Sequence, residues 1–355
     1  MLPYSGTYAS LGAAIENGFQ LFVKQQGGRL AGRTIEYSRV DDESEPSKAV
    51  ANVGRLIDRD HVDVLVGTVH SGVAMAMAKA ARESDTLMIV PNAGANALTR
   101  AMCAPNVFRT SFTNWQPAFA MGTVAAGQGM RRAVTISWKY AAGDESVAGF
   151  REGFEHGGGQ VLKDLALPFP NVEFQALLTE IAALKPDVVY AFFSGGGAVK
   201  FVKDYAAAGL ARGAPLVGPG FLTDGTLDGQ GDAAQGIMTT LHYADDLGTP
   251  RDIAFRADYI KAYGMAPDVF AVQGYDAAQL LAAGLDAVKG DVTRRDAMRL
   301  AMQGARIDSP RGPVVMSRAH NPIQDIYLRK VVGLQNKVQK TVIKQLEDPG
   351  TGCKL

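Results

Sequence analysis

The chain has 355 residues, with 36 Lys and Arg against 36 Asp and Glu, a formal net charge of zero, 47% apolar and 20% charged residues. That balance argues against a nucleic-acid partner, which draws a basic surplus, and the composition excludes a disordered chain. The length exceeds what one core supports, so two domains are expected, and 40 glycines against about 25 at average usage point to many tight corners.

Met1-Leu2-Pro3-Tyr4-Ser5-Gly6 lacks the charged and apolar regions of a leader. It reads as the end of a strand entering a glycine turn, and implies that a leader and part of the first strand are missing from this sequence. From residues 9 to 26, Leu11, Ile15, Phe19, Phe22 and Val23 fall at helical spacing. Residues 34–40 alternate as a strand, and 47–58 read as a helix that Ser47 could cap. Two further strands, 62–66 and 87–90, flank a helix beginning near Ser71. This β-α-β-α-β order calls for a parallel sheet covered on both faces.

After Arg109-Thr110-Ser111-Phe112-Thr113-Asn114 the rhythm restarts. Strands are expected at 133–138, 161–165, 187–193 and 215–218, and helices at 145–156, 174–184 and 198–208. Beyond Asp245 the pattern is helical at 253–263, 269–288 and 295–302, followed by strands at 312–316 and 326–332. These late elements either form a helical third domain or complete the two sheets already begun, the more economical reading. The fold class is therefore α/β, with two Rossmann-like lobes.

Catalytic constellations are missing from the pattern. There is no G-x-S-x-G elbow and no phosphate loop, and Gly195-Gly196-Gly197 is followed by Lys200 where a dinucleotide fingerprint needs its third glycine. A tight strand-to-helix turn is the favoured reading there, a nucleotide-dependent enzyme the competing one. The five histidines have no metal-pair spacing, and Asp41-Asp42 and Asp245-Asp246 read as loop charges. Cys103 and Cys353 are either two free thiols or one disulfide stapling a tail that has no other anchor.

Binding devices stand at the expected strand ends. Val69, His70 and Ser71 join a strand to a helix start, where unpaired N–H groups and the helix dipole suit a carboxylate. Ser71 adds a hydroxyl, unless it only caps its own helix. Asn92, Ala93 and Gly94 form a second small-residue loop, in which Asn92 either donates to a ligand or makes an Asx turn. The second lobe's strand ends carry Trp138, Tyr140, Phe193, Ser194 and Phe221.

In these residues the chain resembles the type I periplasmic solute-binding proteins of ABC uptake systems, in their leucine/isoleucine/valine-binding branch. The resemblance spans the chain and is carried by Ser5-Gly6-x5-Gly12, Asp41-Asp42-Glu43-Ser44, Val66-Gly67-x3-Ser71, Val90-Pro91-Asn92-Ala93, Phe108-Arg109-Thr110, Lys185-Pro186-Asp187 and Val217-Gly218-Pro219-Gly220. It implies a periplasmic, non-catalytic protein without cofactor or metal, a monomer that closes two lobes on a small solute and docks onto a membrane permease. Lobe one would comprise 1–113 plus 243–318 and lobe two 114–242 plus 319–345, joined by three crossovers, with 346–355 as a tail. Hinges are expected near Thr113-Asn114, His242-Tyr243 and 319–321.

Carried over by position, the ligand-carboxylate serine falls on Ser71, and the backbone-contacting loop on Asn92, Ala93 and Gly94. The ligand-facing tyrosine of the first turn falls on Leu11, with Tyr8 close by. The acid that holds an α-ammonium in amino-acid binders falls on Gly220. A buried ammonium without a carboxylate partner is costly, so the resemblance points to a ring-bearing acid such as benzoate or 4-hydroxybenzoate. A branched-chain amino acid, or a sensing role on the same fold, is the alternative.

Overall fold

The computed structural model describes residues 1–355. The chain divides into two compact units. The first contains Met1–Thr113, Gly248–Gln324 and Glu347–Leu355, and the second contains Asn114–Leu247 and Asp325–Leu346. Two boundaries thus fall later than the sequence placed them, after Leu247 and Gln324, and the C-terminal segment returns to the first unit instead of standing apart.

The first unit carries a parallel sheet of Val64–Val66, Leu87–Val90 and Val107–Arg109, in that order. Val53, Leu65, Met77, Met88 and Val90 belong to one buried apolar cluster. The helices Pro250–Tyr263, Val269–Ala287 and Arg295–Gln303 join this unit and form no third domain. Ala9–Gln25 packs along Val269–Ala287, with Phe22 edge-on to Tyr275 at 5.2 Å. Cys103 and Cys353 form a disulfide, and Arg100 grips Asp348 through two hydrogen bonds of 3.0 and 2.8 Å.

Three local expectations change here. The helix Pro46–Gly54 starts after Glu45, whose side chain makes no cap hydrogen bond, and Ser47 lies inside it, because Pro46 takes the first helical position, where its missing N–H costs nothing. The strand expected over 34–40 is reduced to Arg33–Thr34, paired with Arg29–Leu30; the rest is extended chain outside any ladder. Asp42 is no loop charge. It is fully buried, accepts from the Ser44 amide at 2.8 Å, and receives the Thr68 hydroxyl.

The second unit is built on a sheet ordered Pro322–Val332, Met238–Leu241, Leu216–Pro219, Val188–Phe192, Arg132–Lys139 and Gln160–Pro168. The sheet is mixed, not wholly parallel: Pro322–Val332 runs antiparallel to Met238–Leu241, and Gln335–Leu346 pairs beyond it. Met121, Phe150, Phe154, Tyr190 and Leu328 sit in its core. Each large apolar side chain buried there contributes about 1.5–3 kcal/mol.

Candidate functional site

In the first unit, Val64–Val66 ends at Gly67, and the chain turns into the helix Ser71–Glu83. The cap of that helix is His70: its Nδ1 accepts from the Gly72 amide at 3.1 Å and the Val73 amide at 3.4 Å. An acceptor nitrogen must be unprotonated, and burial lowers the ring's pKa to about 4. Two of the helix's leading amides are therefore satisfied by a neutral ring. Ser71 is the first helical residue and is 1% exposed. Val69 is buried beside it.

The loop after Leu87–Val90 is tied to the same corner. The Ala93 amide donates to the Thr68 carbonyl at 2.9 Å. The Ser111 hydroxyl donates to the Asn92 carbonyl at 2.8 Å, and Asn92 Nδ2 donates to Gln273 Oε1 at 2.7 Å. The Asn92 side chain is thus oriented by a helix about 180 residues away in sequence, an arrangement that local spacing does not reveal. Tyr8, closing the turn Gly6–Tyr8, and Gly94 are also buried. Asp42, read from the sequence as a loop charge, supports the corner together with Thr68 and Gln273, which the sequence did not single out.

In the second unit the aromatics form a continuous chain, in which Phe169 joins Trp138 at 5.0 Å to Tyr140 at 5.3 Å. Trp138 is fully buried; its Nε1 donates to the Asn171 carbonyl at 2.8 Å, and its ring meets Phe169 and Phe193 edge-on at 5.0 and 5.1 Å. Phe193 continues inward to Phe174 and Phe201. Tyr140, half-buried, continues the chain to Phe192 at 6.2 Å, and Phe221 follows Phe192 at 6.4 Å. Phe169 was not singled out by the sequence; it becomes visible only once the fold brings it beside Trp138 and Tyr140.

Gly195-Gly196-Gly197 forms the first turn of the helix Gly195–Ala207. A side chain at Gly197 would place its Cβ 2.2 Å from the Trp138 ring, so this glycine exists to let the indole pack on the helix. Ser194 precedes that helix, and its Oγ is buried without a hydrogen-bond partner. Gly220 is equally constrained. A Cβ there would lie 2.5 Å from Arg329 Nη2 and 2.5 Å from Leu241 Cδ2. Arg329 is itself locked to Asp224 at 2.6 Å and to the Tyr243 carbonyl at 2.9 Å. No acidic side chain can be seated at 220 without dislodging that buried pair.

The two units thus present polar small-residue loops at the strand ends of one and aromatic rows at those of the other, on α/β scaffolds that define a solute-binding protein. The chain belongs to the periplasmic binding protein family, whose model matches residues 1–337. It is similar to a solute-binding protein of an ABC transporter from R. palustris solved in complex with benzoate: 56% identity, TM-score 0.98, covering 100% of this chain and 98% of that one. A second solute-binding protein, from Rhodopseudomonas palustris BisB5 in complex with 3,4-dihydroxybenzoic acid, is 32% identical with TM-score 0.93, covering 98% of this chain and 97% of that one. Among curated relatives, Leu/Ile/Val-binding protein homolog 6 of Brucella melitensis is 29% identical over 98% of this chain and 91% of its own length.

Proposed function

We propose that this protein is the extracytoplasmic solute-binding component of an ABC uptake system, and that its solute is a small aromatic carboxylate of the benzoate or 4-hydroxybenzoate type. The observation that carries this reading is the 56% identity, over the whole chain, to a protein solved with benzoate. The packing of Gly220 supports it, since the position that would neutralise an α-ammonium has no room for a carboxylate.

In this reading Ser71 donates to the solute carboxylate, with the Asn92, Ala93 and Gly94 backbone beside it. The ring meets the row of Tyr140, Phe192 and Phe221, and Phe169 links Tyr140 to the buried Trp138. A charge-assisted hydrogen bond contributes about 1.5–3 kcal/mol, and a buried ring about as much again. The protein performs no chemistry on its solute, acts as a monomer and delivers its load to a membrane permease. The Cys103–Cys353 disulfide suits an oxidising, extracytoplasmic compartment.

Calorimetric titration with benzoate, 4-hydroxybenzoate, leucine and phenylalanine tests the reading. The two aromatic acids should bind, and the amino acids should not. Ser71→Ala should weaken benzoate binding by roughly tenfold or more, the equivalent of a charge-assisted bond. Binding of leucine in place of benzoate would overturn the assignment of the solute.

A further inference from the structure

The second unit carries a groove of about 390 Å3 between the helix Ala141–His156 and the strand Gln160–Pro168. Its floor is Ser137, Asp164 and Ala166, and its wall is the row Asp144, Ala148, Arg151 and Glu155 on one face of the helix. Beyond this floor the sheet ends. Gln160–Pro168 pairs only with Arg132–Lys139, so its outer edge can accept another strand.

Four carboxylates line the groove, Asp144, Glu152, Glu155 and Asp164, against one cation, Arg151. Arg151 is committed within the unit: it donates to Glu155 at 2.9 Å and to Asp164 at 2.6 Å. Asp164 also accepts from the Thr135 hydroxyl at 2.7 Å. Glu152 accepts from the Trp115 indole at 2.8 Å, a neutral donor that leaves its charge in place. The exposed Asp144 carboxylate has no partner. The groove is thus strongly negative, and the half positive charge of the helix N-terminus beside Asp144 offsets only part of the excess.

An unused polar group stands at the same end. Ser137 is 3% exposed and its hydroxyl makes no hydrogen bond. It lies beside Gly143, where a Cβ would stand 3.3 Å from the Ser137 Oγ. Buried hydroxyls are normally paired, and this one lines the groove next to the free carboxylate of Asp144.

We propose that this groove docks an extended segment of a partner protein that carries one arginine or lysine. The segment's backbone pairs with the strand edge at 162–166, and alternate side chains then stand over the groove. The basic side chain lays its methylene stem on Ala148 and Ala166 and brings its charged head to Asp144 and the Ser137 hydroxyl. The free edge selects a protein segment over a small free cation, which has no backbone to pair with it. The groove lies wholly in the second unit, and its use is independent of the solute assignment.

The test titrates the full chain, without solute, with three probes: acetyl-Thr-Val-Arg-Val-Thr-amide, the same peptide with glutamine in place of arginine, and butylguanidinium. Amide NMR shifts at 137, 144 and 148 read the groove, and hydrogen exchange at 162–166 reads edge pairing. The arginine peptide should bind roughly tenfold or more tightly than the other two, slow exchange at the edge, and lose most of that advantage at high salt. Asp144→Asn and Ser137→Ala should each weaken it several-fold, with Tm unchanged or higher. No binding by any probe would overturn the proposal, as would equal affinity for the arginine and glutamine peptides or affinity untouched by Asp144→Asn. Butylguanidinium binding as tightly as the arginine peptide would make this a small-cation site, and shifts confined to other parts of the chain would place the peptide elsewhere; either result overturns the docked segment.

Discussion

The strand ends of the two units solve opposite problems with the same element. In the first unit the corner at Ser71 is crowded with small polar groups whose hydrogen bonds are nearly all committed within the unit: His70 to the helix amides, Thr68 to Asp42, Asn92 to Gln273. In the second, packed rings replace hydrogen bonds, and the buried hydroxyl of Ser194 is left without a partner. Polar corners must be satisfied atom by atom, because an unpaired buried group costs about 1–3 kcal/mol. Aromatic walls need only contact.

Both units nevertheless bury one arginine–aspartate pair. Arg311 Nε lies 3.1 Å from Asp276 in the first, and Arg329 Nη2 lies 2.6 Å from Asp224 in the second. Burial pushes each aspartate up to about 6 against the pull of its arginine. The sharpest way to break the comparison is Arg329→Met, which strands Asp224 and removes the side chain packed on Gly220. It should cost about 3–5 kcal/mol in urea unfolding. Adding Asp224→Asn should recover most of that loss; if it does not, the cost came from packing and the pair is not its source.

The polar corner can be tested through His70. Its pKa is about 4 in the folded chain and 6.5 in the unfolded one, so the unfolded state binds the extra proton between those values. Stability from this group is present above pH 6.5 and is lost as pH falls towards 4. From pH 7 to pH 5 the loss should be about 2 kcal/mol. Asp224 and Asp276 act in the opposite sense, since their folded forms take up protons below about 6. Comparison of the parent with His70→Asn, which keeps a cap acceptor and cannot titrate, isolates the histidine. The variant should lose about 2 kcal/mol less over that range, and equal losses would remove His70 from the acid response.

The aromatic wall is sharpened by Ser194→Ala. Removal of an unpartnered buried hydroxyl should leave stability unchanged or raise it by up to about 1 kcal/mol. Affinity for 4-hydroxybenzoate should fall a few-fold by calorimetry if that hydroxyl meets the solute. Unchanged affinity would assign the serine to the helix entry alone.

Much of the architecture was legible in the chain. Helical spacing of Leu11, Ile15, Phe19 and Phe22 places the first helix, and apolar runs such as 87–90 and 188–192 place the buried strands. Trp115–Gly127 was not anticipated, because a helix buried nearly all round shows no polar face from which to read a period. Gln335–Leu346 escaped for the opposite reason: an outlying strand, half-exposed and rich in Lys and Gln, looks like loop until its partner is in place.

The sequence by itself determined the α/β class, the positions of the loops at Ser71 and Asn92, and the glycine at 220, since each depends on local periodicity or on the residue present. Only the tertiary structure decided what those loops hold. That His70 caps the helix, that Gln273 orients Asn92, that Trp138 lies against Gly197 and that Arg329 stands behind Gly220 are all contacts between groups brought together by packing. Three of the four join residues far apart in the chain. The physical reason is that burial makes each polar atom find a partner wherever the fold supplies one, and sequence spacing does not constrain that choice.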